Sequence, residues 1–114
     1  MSQRLANYLL THRRHAGLSQ DEVGFLVGGK SGAGVSRYER SRRLPSFETA
    51  LAYEVVFGVP ARQLFPGIFA KVEKATNKRA EILAAKVSDS AKRKLQLRDR
   101  KLETLEQVRS SRRS

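Results

Sequence analysis

Residues 24–31, Gly-Phe-Leu-Val-Gly-Gly-Lys-Ser, fit the phosphate-loop spacing GxxxxGK[ST]. That chemistry needs a strand entering the loop and a helix leaving it, so that backbone N–H groups surround the phosphates while the lysine supplies charge. The neighbours do not provide this frame. The segment begins inside a stretch that reads as a helix, no later apolar strand ends in an aspartate for magnesium, and 114 residues leave no room for the usual sheet. Nucleotide hydrolysis is therefore not expected. His12 and His15 sit three apart, with no third ligand in sight and no cysteine in the chain. A surface pair is expected rather than a metal site, and no nucleophile–base arrangement can be assembled from them. No enzyme and no cofactor are expected. What remains is a cationic run, Arg40, Arg42 and Arg43, preceded by Lys30 and Arg37. Guanidinium forks suit guanine O6 and N7, or phosphate oxygens.

Presenting that run takes two short helices. Ser19 can cap one, with Glu22 completing a capping box and Val23 and Val27 on its inner face. Ser31 caps the next, expected to run to about Arg40 and to carry Val35-Ser36-Arg37-Tyr38-Glu39-Arg40. Two short helices with the basic residues on the second are a means of entering the DNA major groove. Upstream, Leu5 and Leu9 at helical spacing and Gly17 as a C-terminal cap imply a first helix over about 3–16. Downstream, Pro45-Ser46 opens a fourth, with Phe47, Ala50, Leu51 and Phe57 as inward positions and Gly58 as its end. Pro60 to Phe65 makes a short fifth. No stretch alternates with a period of two, so the expected fold class is all-α.

A formal charge of +12 and a pI near 10.9 make a polyanion the expected partner. The charge is uneven: nine Lys/Arg against five Asp/Glu in residues 1–67, fourteen against six in 68–114. With a break expected at Phe65-Pro66-Gly67, the chain reads as a head over 1–67 and a basic helical extension over 68–109, with a disordered tail over 110–114. The extension should form two helices, about 68–87 and 90–108, parted by Ser88-Asp89-Ser90. The second bears a partial apolar stripe of Ala91, Leu95, Leu102, Leu105 and Val108, interrupted by Arg98, too short for an assured coiled coil. No apolar run approaches a membrane span, and the charged N-terminus does not read as a signal peptide.

Gly17-Leu18-Ser19-Gln20, Val35-Ser36-Arg37-Tyr38-Glu39, Pro45-Ser46, and Gly58-Val59 with Leu64-Phe65 together resemble the phage-repressor-like (Xre-type) helix-turn-helix family over about residues 3–66. The resemblance implies a five-helix DNA-binding head. It assigns base reading to Gly32, Ala33, Ser36 and Arg37; Lys30, in a loop that departs from the family's spacing, is expected to assist. It assigns phosphate contact to Gln20, Ser31, Arg40, Arg42 and Arg43. Arg13 and Glu39 match a pair that bridges the first and third helices. One departure stands out: the stretch between Val27 and Val35 is one residue longer than usual and glycine-rich. Gly32 and Gly34 are expected to loosen the first turn of the third helix until DNA orders it.

These readings converge on a cytoplasmic, nucleoid-associated regulator, a repressor or autoregulator that binds double-stranded DNA as a homodimer. Leu64, Phe65 and Phe69, or Leu95, Leu102 and Leu105 of the tail, are the dimer candidates. The alternatives are an antitoxin-like regulator whose C-terminal helices hold a protein partner, and a nucleic-acid binder acting by charge alone.

Overall fold

The computed structural model describes residues 6–89 and 95–110. All regular structure among them is helical, in the order α1 (Leu9–Ala16), α2 (Gln20–Leu26), α3 (Gly32–Glu39), α4 (Phe47–Phe57), α5 (Ala61–Leu64), α6 (Pro66–Asp89) and α7 (Leu95–Ser110). The chain divides into two compact units, Met1–Phe69 and Ala70–Ser114. No described helix is long and apolar enough to cross a membrane.

In the first unit the helix ends follow from cap chemistry. Ser19 and Glu22 form the reciprocal capping box of α2, and the Ser46 hydroxyl accepts the Thr49 N–H to open α4. Gly17 and Gly58 close α1 and α4 in the left-handed region, at φ 75° and 66°. α1 begins at Leu9, well after the expected start. Asn7 Oδ1 accepts the Leu9 N–H at 3.1 Å, and the Tyr8 N–H donates to Leu64 O at 2.9 Å. The chain at 7–8 is thus tied across the unit by the Tyr8 N–H, while Tyr8 O accepts the first helical bond of α1 from the His12 N–H. Leu5 lies outside the described residues.

Leu9, Val23, Val27, Val35, Tyr53, Leu64 and Phe65 form the core, α2 packing chiefly on α3 and α1 bridging α3 and α4. Each fully buried large apolar side chain contributes about 1.5–3 kcal/mol. Two expectations are corrected here. Phe47 and Leu51, taken as inward, are exposed, whereas Ala50 and Phe57 face the core as expected and Tyr53 joins them there. Leu64 and Phe65, taken as dimer contacts, are buried and closed over by the Tyr8–Leu64 bond, so neither is available to a partner.

Tyr53 anchors an aromatic group, with ring centroids 6.0–6.2 Å from those of Tyr38, Phe57 and Phe65. Its hydroxyl is buried without a hydrogen-bond partner. Burial first, and the nearby Glu39 charge second, raise its pKa above the ordinary tyrosine value. Tyr53→Phe should therefore be neutral or stabilising at pH 7, within about 1 kcal/mol, since an unpaired group is what it removes. An unfolded tyrosine ionises near 10. In that range the unfolded chain sheds a proton that the folded one keeps, so stability falls as pH rises past about 10. Urea titrations from pH 8 to 11 should show a smaller alkaline loss in Tyr53→Phe than in the wild type.

Pro66 and Gly67, read as a stop, instead begin α6: proline at a helix start gives up only an N–H that has no helical partner there. Gly67 N–H donates back to Ala6 O at 3.0 Å. In the second unit, the more covered side chains of α6 are Glu73, Ala75, Asn77, Ala80, Ala84 and Val87, and those of α7 are Arg98, Leu102, Leu105, Val108 and Ser110. Apart from Ala75 and Ser110, they recur every three or four residues, so each helix has one more covered face. Arg98, which interrupts the expected stripe, pairs with Asp99 at 3.3 Å. Ser110, assigned to a disordered tail, is helical, its hydroxyl donating to Glu106 O at 2.8 Å. Ala91, the side chain of Leu95 and residues 111–114 lie outside the described residues.

Candidate nucleic-acid interface

The α2–α3 pair is held closer than side chains would normally permit. A Cβ on Gly24 would lie 2.6 Å from Ser31 O, and one on Gly32 would lie 2.7 Å from Asp21 Oδ1 and 2.8 Å from Gln20 Cβ. These glycines are the contact between the two helices. The same contact accounts for the phosphate-loop pattern. Gly28 N–H is bonded to Phe25 O, Gly29 N–H to Gly24 O, Gly32 N–H to Asp21 Oδ1 and Ala33 N–H to Ser31 Oγ. Donors that would surround a phosphate in such a loop are thus committed internally, and the segment starts in α2, not in a strand.

α3 is anchored at both ends. At its start, Ser31 caps the first turn and Asp21 accepts the Gly32 N–H at 2.7 Å. The turn expected to await DNA is already formed here, because α2 supplies a carboxylate for it. At its end, Arg13 donates through Nε to Glu39 Oε2 at 2.6 Å and through Nη2 to Oε1 at 3.3 Å. Arg13 also donates to Leu18 O, and Gln20 Nε2 donates to Glu39 Oε1 at 3.1 Å. The pair is largely withdrawn from solvent, 14% and 5% exposed, and the hydrogen bond to Glu39 raises the Arg13 pKa further. Asn7 makes a third anchor that sequence reasoning missed. Its Nδ2 donates to Tyr38 O at 2.9 Å and to Ser41 Oγ at 3.0 Å, bracing the left-handed residue Ser41 (φ 56°) where the chain leaves α3. The signal available was an asparagine inside the expected first helix, a residue type that favours helix starts over helix interiors.

Held this way, α3 turns Val35 inward and Ala33, Arg37 and Arg40 outward. Lys30, Ser31, Arg42 and Arg43 are exposed on the flanking turns, and Ser36 is half-buried. Lys30, Arg37, Arg43 and Thr49 line a concavity of about 380 Å³ between the α2–α3 turn, α3 and the start of α4. Thr49 was not singled out from the sequence. Among the described residues no carboxylate pairs with Arg37, Arg42 or Arg43, while Arg40 Nε reaches back to Ser36 O at 3.4 Å. Gly32, expected to read bases, is buried against α2 and cannot do so. Gln20, expected on a phosphate, has one amide hydrogen already bonded to Glu39. His12 packs on Phe57, ring centroids 5.7 Å apart, whereas His15 is exposed.

The arrangement is a helix held at both ends by hydrogen bonds, with its cationic side chains exposed. Comparison with known proteins agrees: residues 9–64 match the family model described as Helix-turn-helix. No curated protein and no solved structure matches the chain. The match at residues 9–64 supports a phage-repressor-like helix-turn-helix domain, the kind found in DNA-binding regulators.

Proposed function

We propose that the chain is a sequence-specific repressor or autoregulator that binds a palindromic operator in double-stranded DNA as a homodimer. The observation that carries the reading is the outward face of α3. Its exposed Arg37 is clear of internal carboxylates, and Asp21, Glu39 and Asn7 fix the helix beneath it. Ala33 and Gly34 leave the first turn smooth, so α3 can approach base edges closely. Arg37 reads a base, Ser36 and Lys30 assist from the same side, and Arg40, Arg42 and Arg43 hold phosphates. Two copies would address half-sites one helical turn apart, about 34–36 Å.

Selection of bound oligonucleotides from a random pool tests the reading. A palindromic consensus preferred over random DNA by roughly 10³-fold or more is the expected result. No preference would leave a protein binding by charge alone. Arg37→Ala should cost about 1–3 kcal/mol on the selected site and relax the choice at one base pair. Arg42→Ala should weaken every sequence alike and reduce the slope of log affinity against log salt by about one.

A further inference from the structure

α6 starts in the head and runs on beyond it. Its first residues, 66–69, belong to the first unit, where Ile68 packs against the core. Ile68 also lines a narrow crevice with Tyr38, Ser41, Arg43 and Leu44, on the turn by which the chain leaves α3. The helix thus sets out beside a cation assigned above to phosphate, and Lys71 follows Ile68 after about 4.5 Å of helix rise.

From there α6 carries Lys71, Lys74, Lys78, Arg79 and Lys86, all exposed. At about 100° per residue these cations fall within an arc of roughly 140°, centred opposite the covered line of Glu73, Asn77, Ala80, Ala84 and Val87. Between Lys71 and Lys86 the carboxylates, Glu73 and Glu81, lie outside that arc, Glu81 at its edge. Among the described residues no carboxylate pairs with any of these cations. Lys71 with Lys74, and Lys74 with Lys78, set like charges at i+3 and i+4, an arrangement that weakens a helix standing alone. A face kept for solubility mixes both signs, whereas this one is sorted by sign.

We infer that the cationic face of α6 is a second DNA-binding surface, one that holds backbone phosphates without reading sequence. The inference rests on the DNA-binding reading of α3 and adds a contact on a different element. Lys71, Lys74 and Lys78 lie within about 60° of one another over about 10 Å of helix, a rise along which one DNA strand presents about three phosphates. DNA is favoured over other polyanions because α6 is fixed to the head at its start. Once α3 is seated, the lysines meet phosphates at a high effective concentration.

Salt titrations of binding to the selected operator and to a random duplex test this with the triple variant Lys71→Gln/Lys74→Gln/Lys78→Gln. A control triple, Arg62→Gln/Arg100→Gln/Lys101→Gln, removes the same charge from exposed positions elsewhere. Lysine, arginine and glutamine have similar helix propensities, and circular dichroism checks that both variants keep their helices. The α6 variant should lower the slope of log affinity against log salt by about two to three on both duplexes. At moderate salt it should bind both roughly 10–10²-fold more weakly, its preference for the operator unchanged. The control should change the slope by less than about one, because charges away from the contact are screened. An α6 variant that titrates like the control would overturn the contact and leave the face to an acidic protein. So would a loss of operator preference, since α6 would then be positioning α3 and not gripping phosphate. A reduced slope in a protein whose wild type shows no sequence preference would uphold the α6 surface and refute the operator reading.

Discussion

Glu39→Ala should destabilise the head by roughly 3–5 kcal/mol, the range for breaking a buried ion pair by removing one partner. Glu39 accepts hydrogen bonds from Arg13 Nε, Arg13 Nη2 and Gln20 Nε2, and its loss strands a guanidinium that is only 14% exposed. A domain of this size has a total stability of roughly 3–10 kcal/mol, so the loss would unfold the protein at room temperature only if the wild type lies at the lower end of that range. Urea melts followed by tyrosine near-ultraviolet circular dichroism give a clean reading, because the three tyrosines, Tyr8, Tyr38 and Tyr53, all lie in the first unit. The double variant Arg13→Met/Glu39→Leu should cost less than Glu39→Ala alone, since no charge is then left without its counterion. A midpoint for Glu39→Ala within experimental error of the wild type would show that the pair is not a structural anchor.

The second large effect separates two glycines that look equivalent in the chain. Gly24→Ala should cost about 1–3 kcal/mol, because its methyl group would sit 2.6 Å from the Ser31 carbonyl oxygen, a backbone atom that cannot swing aside. Gly34→Ala should do the reverse. No atom lies within 4 Å of the position a Cβ would take, and helix propensity then favours alanine by about 0.5–1 kcal/mol. Thermal melts of the two variants without DNA should shift in opposite directions. A stabilising Gly24→Ala would mean that α2 and the α3 turn stand further apart than described.

Positions governed by local rules were legible in the sequence. Ser19 with Glu22, Ser31, Ser46, Gly17 and Gly58 all act at helix ends as their types suggest. Arg37 stands outward on the helix that its spacing from Val35 demanded. What failed depended on atoms far apart in the chain. α4 is apolar on so many sides that its pattern carried no phase, and the packing of Tyr53 decided which side turned in. The burial of Leu64 and Phe65 follows from the N-terminal segment crossing over α5. Gly32 reads as flexible when only its own helix is considered, and as a spacer once Asp21 and Gln20 stand against it. Pro66 and Gly67 show that breaker residues can also open a helix.

Asn7 has a consequence for how the protein ages. Its amide nitrogen points at two acceptors, Tyr38 O and Ser41 Oγ. Spontaneous deamidation would replace that donor with a carboxylate, an acceptor-only group whose charge would be directed at the Tyr38 carbonyl oxygen. The exit of α3 would come loose while the far side of the head stayed intact, so stored preparations would lose grip on their target before losing their shape.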